Sequence, residues 1–268
     1  MENFDKNQSQ EVEIRLDVPR VPTSFRAKYY IQQGFSLFKE DAAAYVALTV
    51  LFLFGTFILG FIPYLGDLLP AFVAGPLMVG FAIYAMASER NEYRSSRTFF
   101  QEFESKSVFQ YFFYNYCSKL MSTLLIIGAI YLFIGQDLPA LLEQFENMNK
   151  LDEEEALALL EQLIHYGPLQ LGLLAGVVLM ALFNILITFS LFYIWRSRMT
   201  FLQAIGASAQ FVLRNFGGVF LLLLLMGLLA VLSALTFFLG MLILIPVFQL
   251  SLYRAFRDFH PELFAPSL

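Results

Sequence analysis

The sequence predicts an all-α fold: a polytopic membrane bundle of six transmembrane helices, arranged as three hairpins with interfacial amphipathic helices. Between Arg214 and Arg254 the chain holds 39 residues without an Asp, Glu, Lys or Arg. At about 1.5 Å per residue, that stretch is too long for one crossing of a hydrocarbon core about 30 Å thick. Only 15% of all residues are charged, against about 25% in soluble domains. We therefore expect two helices that fold back near residues 238–240.

The N-terminal region is predicted to precede the membrane domain, which covers residues 25–258. Residues 1–24 are polar and charged, so we expect a disordered cytoplasmic tail and no cleavable signal peptide. Ser24 is the predicted N-cap of a helix over residues 25–39. Aromatic residues on one side of this helix and cations on the other are typical of a helix in the membrane interface.

Six apolar segments are the predicted spans: about 42–62, 68–88, 112–135, 168–195, 216–237 and 240–253. The sixth span, residues 240–253, is shorter than the other five when the chain is divided in this way. Pro76 lies inside the second span and Pro246 inside the sixth, and we expect both to kink their helices. The alternative is a pair of broken helices of the kind that transporters use at mid-membrane sites. Residues 259–268 are predicted to form a short cytoplasmic tail.

An acidic segment, residues 136–167, separates the third and fourth spans and is predicted to be an outer helical region. It contains eight acidic residues and one base, Lys150. Acids in the first turn after Asp152 favour a helix there, because they face the positive end of the helix dipole. The acids lack the spacing of a calcium loop, so a solvated helix face is favoured over a cation or basic-partner site.

The basic residues determine the predicted orientation. Sixteen of the seventeen Lys and Arg residues fall on one side of the six spans. The positive-inside rule places that side, and both termini, in the cytoplasm. Contact between these cations and membrane lipid headgroups is then expected.

The predicted spans contain several polar side chains but no ionisable residue near the middle of the membrane. We therefore expect no catalytic group. One cysteine and two histidines in the chain predict no metal or cofactor site. Asn184 and Gln249 lie inside predicted spans, where a buried amide needs a partner, and interhelical polar contacts are favoured over substrate contacts. Gly172 and Gly176, four residues apart, predict close helix packing, either inside the bundle or between two copies.

One four-residue pattern occurs twice, at residues 98–101 (Thr-Phe-Phe-Gln) and at residues 200–203 (Thr-Phe-Leu-Gln). Thr98 and Gln101 have the spacing of a helix capping box. The repetition supports a division into repeated units, each an interfacial helix followed by a hairpin.

Three short strings carry a resemblance to known proteins: Gly34-Phe35-Ser36-Leu37-Phe38-Lys39, Leu213-Arg214-Asn215-Phe216 and Ile245-Pro246-Val247. With them, residues 25–258 resemble bacterial six-helix integral membrane families of unknown function. They are also similar to the membrane domain attached to some glycerophosphodiester phosphodiesterases. The resemblance implies a multi-pass protein of the bacterial inner membrane. It implies no activity, because the phosphodiesterase catalytic domain has no counterpart in this chain.

The sequence therefore favours a non-enzymatic inner-membrane scaffold that interacts with membrane lipids, with a partner protein or with further copies of itself. The alternative is a small permease, based on the hairpin repeat and on Pro76 and Pro246. A membrane-embedded lipid enzyme lacks a candidate acid, base or nucleophile, and nothing indicates nucleic-acid binding.

Overall fold

The computed structural model describes residues 22–61, 68–140, 143, 157–158, 161, 165–236 and 239–265, and all regular structure within them is helical. The helices are α1 (Ala27–Glu40), α2 (Ala42–Gly60), α3 (Leu68–Glu89), α4 (Ser96–Phe100), α5 (Val108–Ile134), α6 (Gly167–Leu186), α7 (Ser190–Ser197), α8 (Phe201–Arg214), α9 (Phe216–Ala234) and α10 (Met241–Phe259). Short 3-10 turns cover Gln101–Glu104 and Pro261–Leu263.

Five segments of the described chain are long and apolar enough to cross a membrane: α2, α3, α5, α6 with α7, and α9. They are typical of a membrane-embedded protein. The sixth predicted span belongs to α10, which is 19 residues long but is not among these five segments, because Arg254, Arg257 and Asp258 lie in its C-terminal part. Its uncharged part, residues 241–253, measures about 20 Å, less than the hydrocarbon thickness of about 30 Å.

Four helices cover most of α10, which explains how a short apolar segment is accommodated. It packs against α1, α2, α3 and α9. Its residues Val247, Leu250, Tyr253 and Phe256 are completely buried. Because its neighbours cover it, its length need not match the lipid.

The α1–α10 contact is unusually close. The buried residues of α1 recur every three or four positions and include Tyr30, Gly34 and Leu37, as expected for one face of a helix. A Cβ atom on Gly34 would lie 2.2 Å from the Ser251 Oγ and 2.6 Å from the Val247 carbonyl oxygen. The apolar face predicted to enter the membrane interface thus contacts α10.

The start of α1 differs from the prediction. The helix begins at Ala27, its N-cap is Arg26, and no side chain caps it. Ser24 is therefore not the cap, and the first helical turn is held by the burial of Ala27 and Tyr30.

Charged residues gather at one end of the bundle, called the basic end below. Glu89, at the end of α3, pairs with Arg254 and Arg257 of α10 and accepts a hydrogen bond from the Tyr253 hydroxyl at 2.7 Å. These contacts join the ends of α3 and α10. Burial raises the pKa of the nearby Asp258 carboxyl, while Arg254 and Arg257 oppose this rise.

The predicted C-terminal tail, residues 259–268, packs on this end as far as it is described. The Arg196 guanidinium donates a hydrogen bond to the Leu263 carbonyl oxygen. It also lies 4.7 Å from the centre of the Phe264 ring. The Arg90 guanidinium donates to the Phe264 carbonyl oxygen at 3.3 Å.

Helices α3 and α10 both remain helical through their prolines, Pro76 and Pro246, which are buried. The alternative of helices broken at these residues is therefore wrong.

The capping box at α4 is also displaced from the predicted pair Thr98 and Gln101. Ser95 is the N-cap, and its backbone N–H donates to the Thr98 hydroxyl. The later copy of the pattern does form a box, between Thr200 and Gln203.

Two predicted regions lie largely outside the described residues. The tail over residues 1–24 is described only from residue 22, and the acidic segment 136–167 only in part. Near the two ends of that segment, the Tyr166 hydroxyl donates a hydrogen bond to the Asp137 carboxylate.

Substitution Gly34→Ala should destabilise the fold by about 1–3 kcal/mol, because the new methyl group collides with the backbone and side chain of α10. The measurement is thermal unfolding of the detergent-solubilised protein. Gly206→Ala is the matched control, since a Cβ at Gly206 meets no atom within 4 Å and alanine favours helix. Equal unfolding temperatures for the two variants would contradict the close contact.

Candidate functional site

The fourth apolar segment, residues 167–197, is broken past its middle, after the 20 residues of α6. Helix α6 ends at Leu186 and α7 begins at Ser190, with a non-helical connection over residues 187–189. The predicted fourth span, residues 168–195, lies within an apolar segment over residues 167–197 that is long and apolar enough to cross a membrane, and this segment consists of two helices. No proline lies at the break, so its cause must be sought in the surrounding contacts.

Side chains from two other helices bond backbone groups at the break, in addition to its own turn bonds, such as that from the Ser190 N–H to the Ile187 carbonyl oxygen at 3.0 Å. The Ser208 hydroxyl of α8 donates to the Leu186 carbonyl oxygen at 2.7 Å and accepts from the Phe189 N–H at 3.0 Å. The Tyr114 hydroxyl of α5 donates to the Ile187 carbonyl oxygen at 3.1 Å. An unsatisfied backbone group in hydrocarbon costs several kcal/mol, so these bonds make the break tolerable.

A cleft of about 320 Å³ lies beside this break. We call it the amide cleft. Its lining residues come from α5, α6, α7, α9 and α10 and from the break itself: Tyr114, Ala181, Asn184, Ile185, Thr188, Leu191, Phe192, Leu223, Phe248, Gln249 and Leu252. The walls are mostly apolar, with a few hydroxyl and amide groups, as is usual for sites that bind small molecules.

The structure brings both sequence-predicted amides, Asn184 and Gln249, to this one cleft. The Asn184 side-chain N–H donates to the Met180 carbonyl oxygen of its own helix at 2.8 Å. A longer bond, 3.4 Å, reaches the Ser122 hydroxyl of α5. Gln249 is half-buried, and its amide makes no hydrogen bond to any described residue. Its donors and acceptor are therefore open to a ligand.

Gly172 and Gly176 lie at the interface of α6 with α5 of the same chain. A Cβ on Gly172 would lie 2.9 Å from the Ile130 Cα, and one on Gly176 would lie 2.8 Å from the Ile126 Cα. Helix α6 therefore packs closely on α5, while its contact with α9 is slight. The amide cleft occupies the space that this arrangement leaves on the α9 side.

Pro76 and Pro246 do not line the amide cleft. Pro246 precedes Gln249 by three residues, less than one helical turn. Because proline has no N–H, it leaves the carbonyl of Leu242 without its helical donor.

The sequence analysis did not predict the break, although the length of the segment pointed to it. A helix over residues 168–195 would measure about 42 Å, well beyond a core of about 30 Å. The extra length of the segment is largely accounted for by α7, which packs into the aromatic core. Its residues Phe192, Ile194 and Trp195 are all buried.

Among the described residues, no three His, Cys, Asp or Glu side chains come together in a way that could hold a metal ion. The amide cleft offers hydrogen-bond donors and acceptors inside an apolar wall. Chemically, this arrangement can orient a neutral or amphiphilic molecule.

No protein-family model, curated protein or solved structure matches this chain. The class of protein therefore follows from its own architecture. Over the residues that the structure describes it is all-helical, with five segments long and apolar enough to span a membrane.

Substitution Ser208→Ala should destabilise the protein by about 2 kcal/mol, because one hydroxyl serves two backbone groups at the break. Thr123→Val is the control: this exposed hydroxyl bonds only the Lys119 carbonyl oxygen of its own helix. Thermal unfolding in detergent checks both variants. If Ser208→Ala were as stable as Thr123→Val, the break would not depend on Ser208.

Proposed function

We propose that this is a non-enzymatic protein of the bacterial inner membrane that binds membrane lipid in the amide cleft. In this proposal α10 is a short sixth span, so the chain crosses the membrane six times as three hairpins, and both termini are cytoplasmic. The gathering of basic residues at one end supports this orientation. The resemblance to bacterial six-helix membrane families supports the location.

The amide cleft is the single observation that carries the proposal. Its apolar walls suit an acyl chain, and Gln249 adds an unsatisfied amide. Gln249 precedes Arg254 by five residues, about 7.5 Å along the helix axis. The polar layer on each side of a bilayer is about 5–8 Å thick, so the amide lies near the depth of lipid ester carbonyls. An ester carbonyl can accept the hydrogen bond that Gln249 has available.

The lining of the amide cleft supports binding over catalysis. The described residues that line it include no carboxylate, imidazole, thiol or amine. Its one phenol, Tyr114, already donates its proton to the Ile187 carbonyl oxygen. A general acid, base or nucleophile would have to come from elsewhere.

A small permease is the second candidate, and the break at residues 187–189 favours it. Transporters place substrate sites at interrupted helices, whose open backbone groups can bind the substrate. This reading requires a solute to pass the cleft, whereas lipid binding requires only lateral entry.

Replacing both amides with leucine (Asn184→Leu with Gln249→Leu) should lower lipid retention by roughly fivefold, because it removes about 1 kcal/mol of hydrogen bonding. The measurement is native mass spectrometry of the protein released from nanodiscs. Thr123→Val, a loss of one exposed hydroxyl outside the cleft, should retain lipid like the wild type. Unchanged retention in the double variant would contradict the proposal.

A bulky side chain placed in the amide cleft is a second test of lipid binding there. Ala181→Trp should exclude a bound lipid, because Ala181 lines the cleft. Leu182→Trp is the matched control on the adjacent, lipid-exposed position of α6. Equal lipid retention in the two variants would argue against the cleft. A solute flux in proteoliposomes that Ala181→Trp abolishes and Leu182→Trp preserves would establish the permease instead.

A further inference from the structure

A second and larger cleft lies at the basic end, away from the residues of the amide cleft. Its volume is about 650 Å³, and it lies between the 3-10 turn after α4, the start of α5 and Arg198. We call it the loop cleft. The residues used below are Glu102, Glu104, Ser105, Lys106, Ser107 and Arg198.

The wall of the loop cleft is built around Arg198. The Arg198 Nη1 donates to the Ser105 hydroxyl at 2.7 Å and to the Ser107 hydroxyl at 2.9 Å. It also lies 3.5 Å from the carboxylate of Glu102. Glu102 is buried and accepts a further bond from the Tyr111 hydroxyl at 3.0 Å. The charge of Glu102 is thus balanced inside the protein.

The conformation of Arg198 indicates that its side chain matters at this position. Arg198 ends α7 in the left-handed region, with φ of 50°. Glycine usually occupies such a position, because a Cβ atom costs about 1 kcal/mol there. The contacts with Ser105 and Ser107 offset that cost.

Part of the guanidinium remains available. All three contacts above use Nη1, and the Arg198 side chain is 59% exposed. Neither Nε nor Nη2 bonds any described residue. A phosphate that enters the cleft would find N–H donors in the geometry that suits its oxygens.

Two exposed charges of opposite sign complete the loop cleft. Lys106 is exposed and pairs with no carboxylate among the described residues. Glu104 is exposed and pairs with Arg97 at 3.0 Å, a surface contact worth at most about 1 kcal/mol. The site therefore offers cations for a phosphate and a carboxylate for an ammonium group.

The surface beside the loop cleft is apolar and exposed. Phe109 and Phe113 follow the cleft on successive turns of α5, with exposed fractions of 60% and 45%. Leu202, at the start of α8, is 67% exposed. A ligand with its polar group in the cleft could lay hydrocarbon chains along this surface. A free phosphate or a soluble zwitterion would leave it uncovered.

We propose that the loop cleft binds the headgroup of a zwitterionic phospholipid with a primary ammonium group, such as phosphatidylethanolamine. Arg198 and Lys106 contact the phosphate, and Glu104 contacts the ammonium. The acyl chains lie against Phe109 and Phe113. This site shares no residue with the amide cleft, so it does not rest on the function proposed above.

The test is native mass spectrometry of the full chain from nanodiscs with equal parts of phosphatidylethanolamine, phosphatidylglycerol and phosphatidylcholine. The wild type should retain phosphatidylethanolamine about fivefold over the other two lipids, as one exposed ion pair allows. Glu104→Gln should remove this preference, because the ammonium loses its partner. Lys106→Gln should lower the retention of all three lipids, because each carries a phosphate.

Matched controls are available at the same end of the bundle. Glu92→Gln removes another exposed carboxylate paired with an arginine, and Lys28→Gln removes another exposed lysine. Both should behave like the wild type. A wild type without preference, or a preference that survives Glu104→Gln, would overturn the inference. Ala181→Trp, which alters only the amide cleft, should leave the preference for phosphatidylethanolamine intact. The experiment therefore tests the proposal for the loop cleft separately from the proposal for the amide cleft.

Discussion

The hydrogen bonding of the break at residues 187–189 is the constraint on which the proposed site depends. A helix can be interrupted within a hydrocarbon layer only if protein groups replace its internal hydrogen bonds. Ser208 and Tyr114 provide these bonds, and they tie α8 and α5 to the two halves of the broken segment.

Close packing at small residues determines where the cleft opens. Gly34 brings α1 against α10, and Gly172 with Gly176 bring α6 against α5. Each contact is too tight to admit a further side chain. The helices in these two pairs are held together closely, whereas α6 and α9 meet only slightly. The amide cleft therefore opens at the loosely packed contact between α6 and α9, both of which line it.

The sequence predicts the helices much better than it predicts their contacts. Spans such as α2 and α9 follow from long uncharged runs, because hydrophobicity along the chain is a local property. The break could not be placed in this way, since Tyr114 and Ile187 are 73 positions apart. The polarity of Asn184 and Gln249 singled them out, but only the packing of α6, α9 and α10 shows that they share a cleft. The support of Arg198 by Ser105 and Ser107 was missed for the same reason.

Photo-crosslinking with a phospholipid that carries a diazirine near its ester group tests lipid binding in the amide cleft most directly. After illumination of the protein in nanodiscs, peptide mass spectrometry locates the labelled residues. We predict labels concentrated at residues 181–192 and 248–252, and their loss in the Ala181→Trp variant. Labels spread evenly over the lipid-exposed faces of α5, α6 and α9, unchanged by that substitution, would contradict the account.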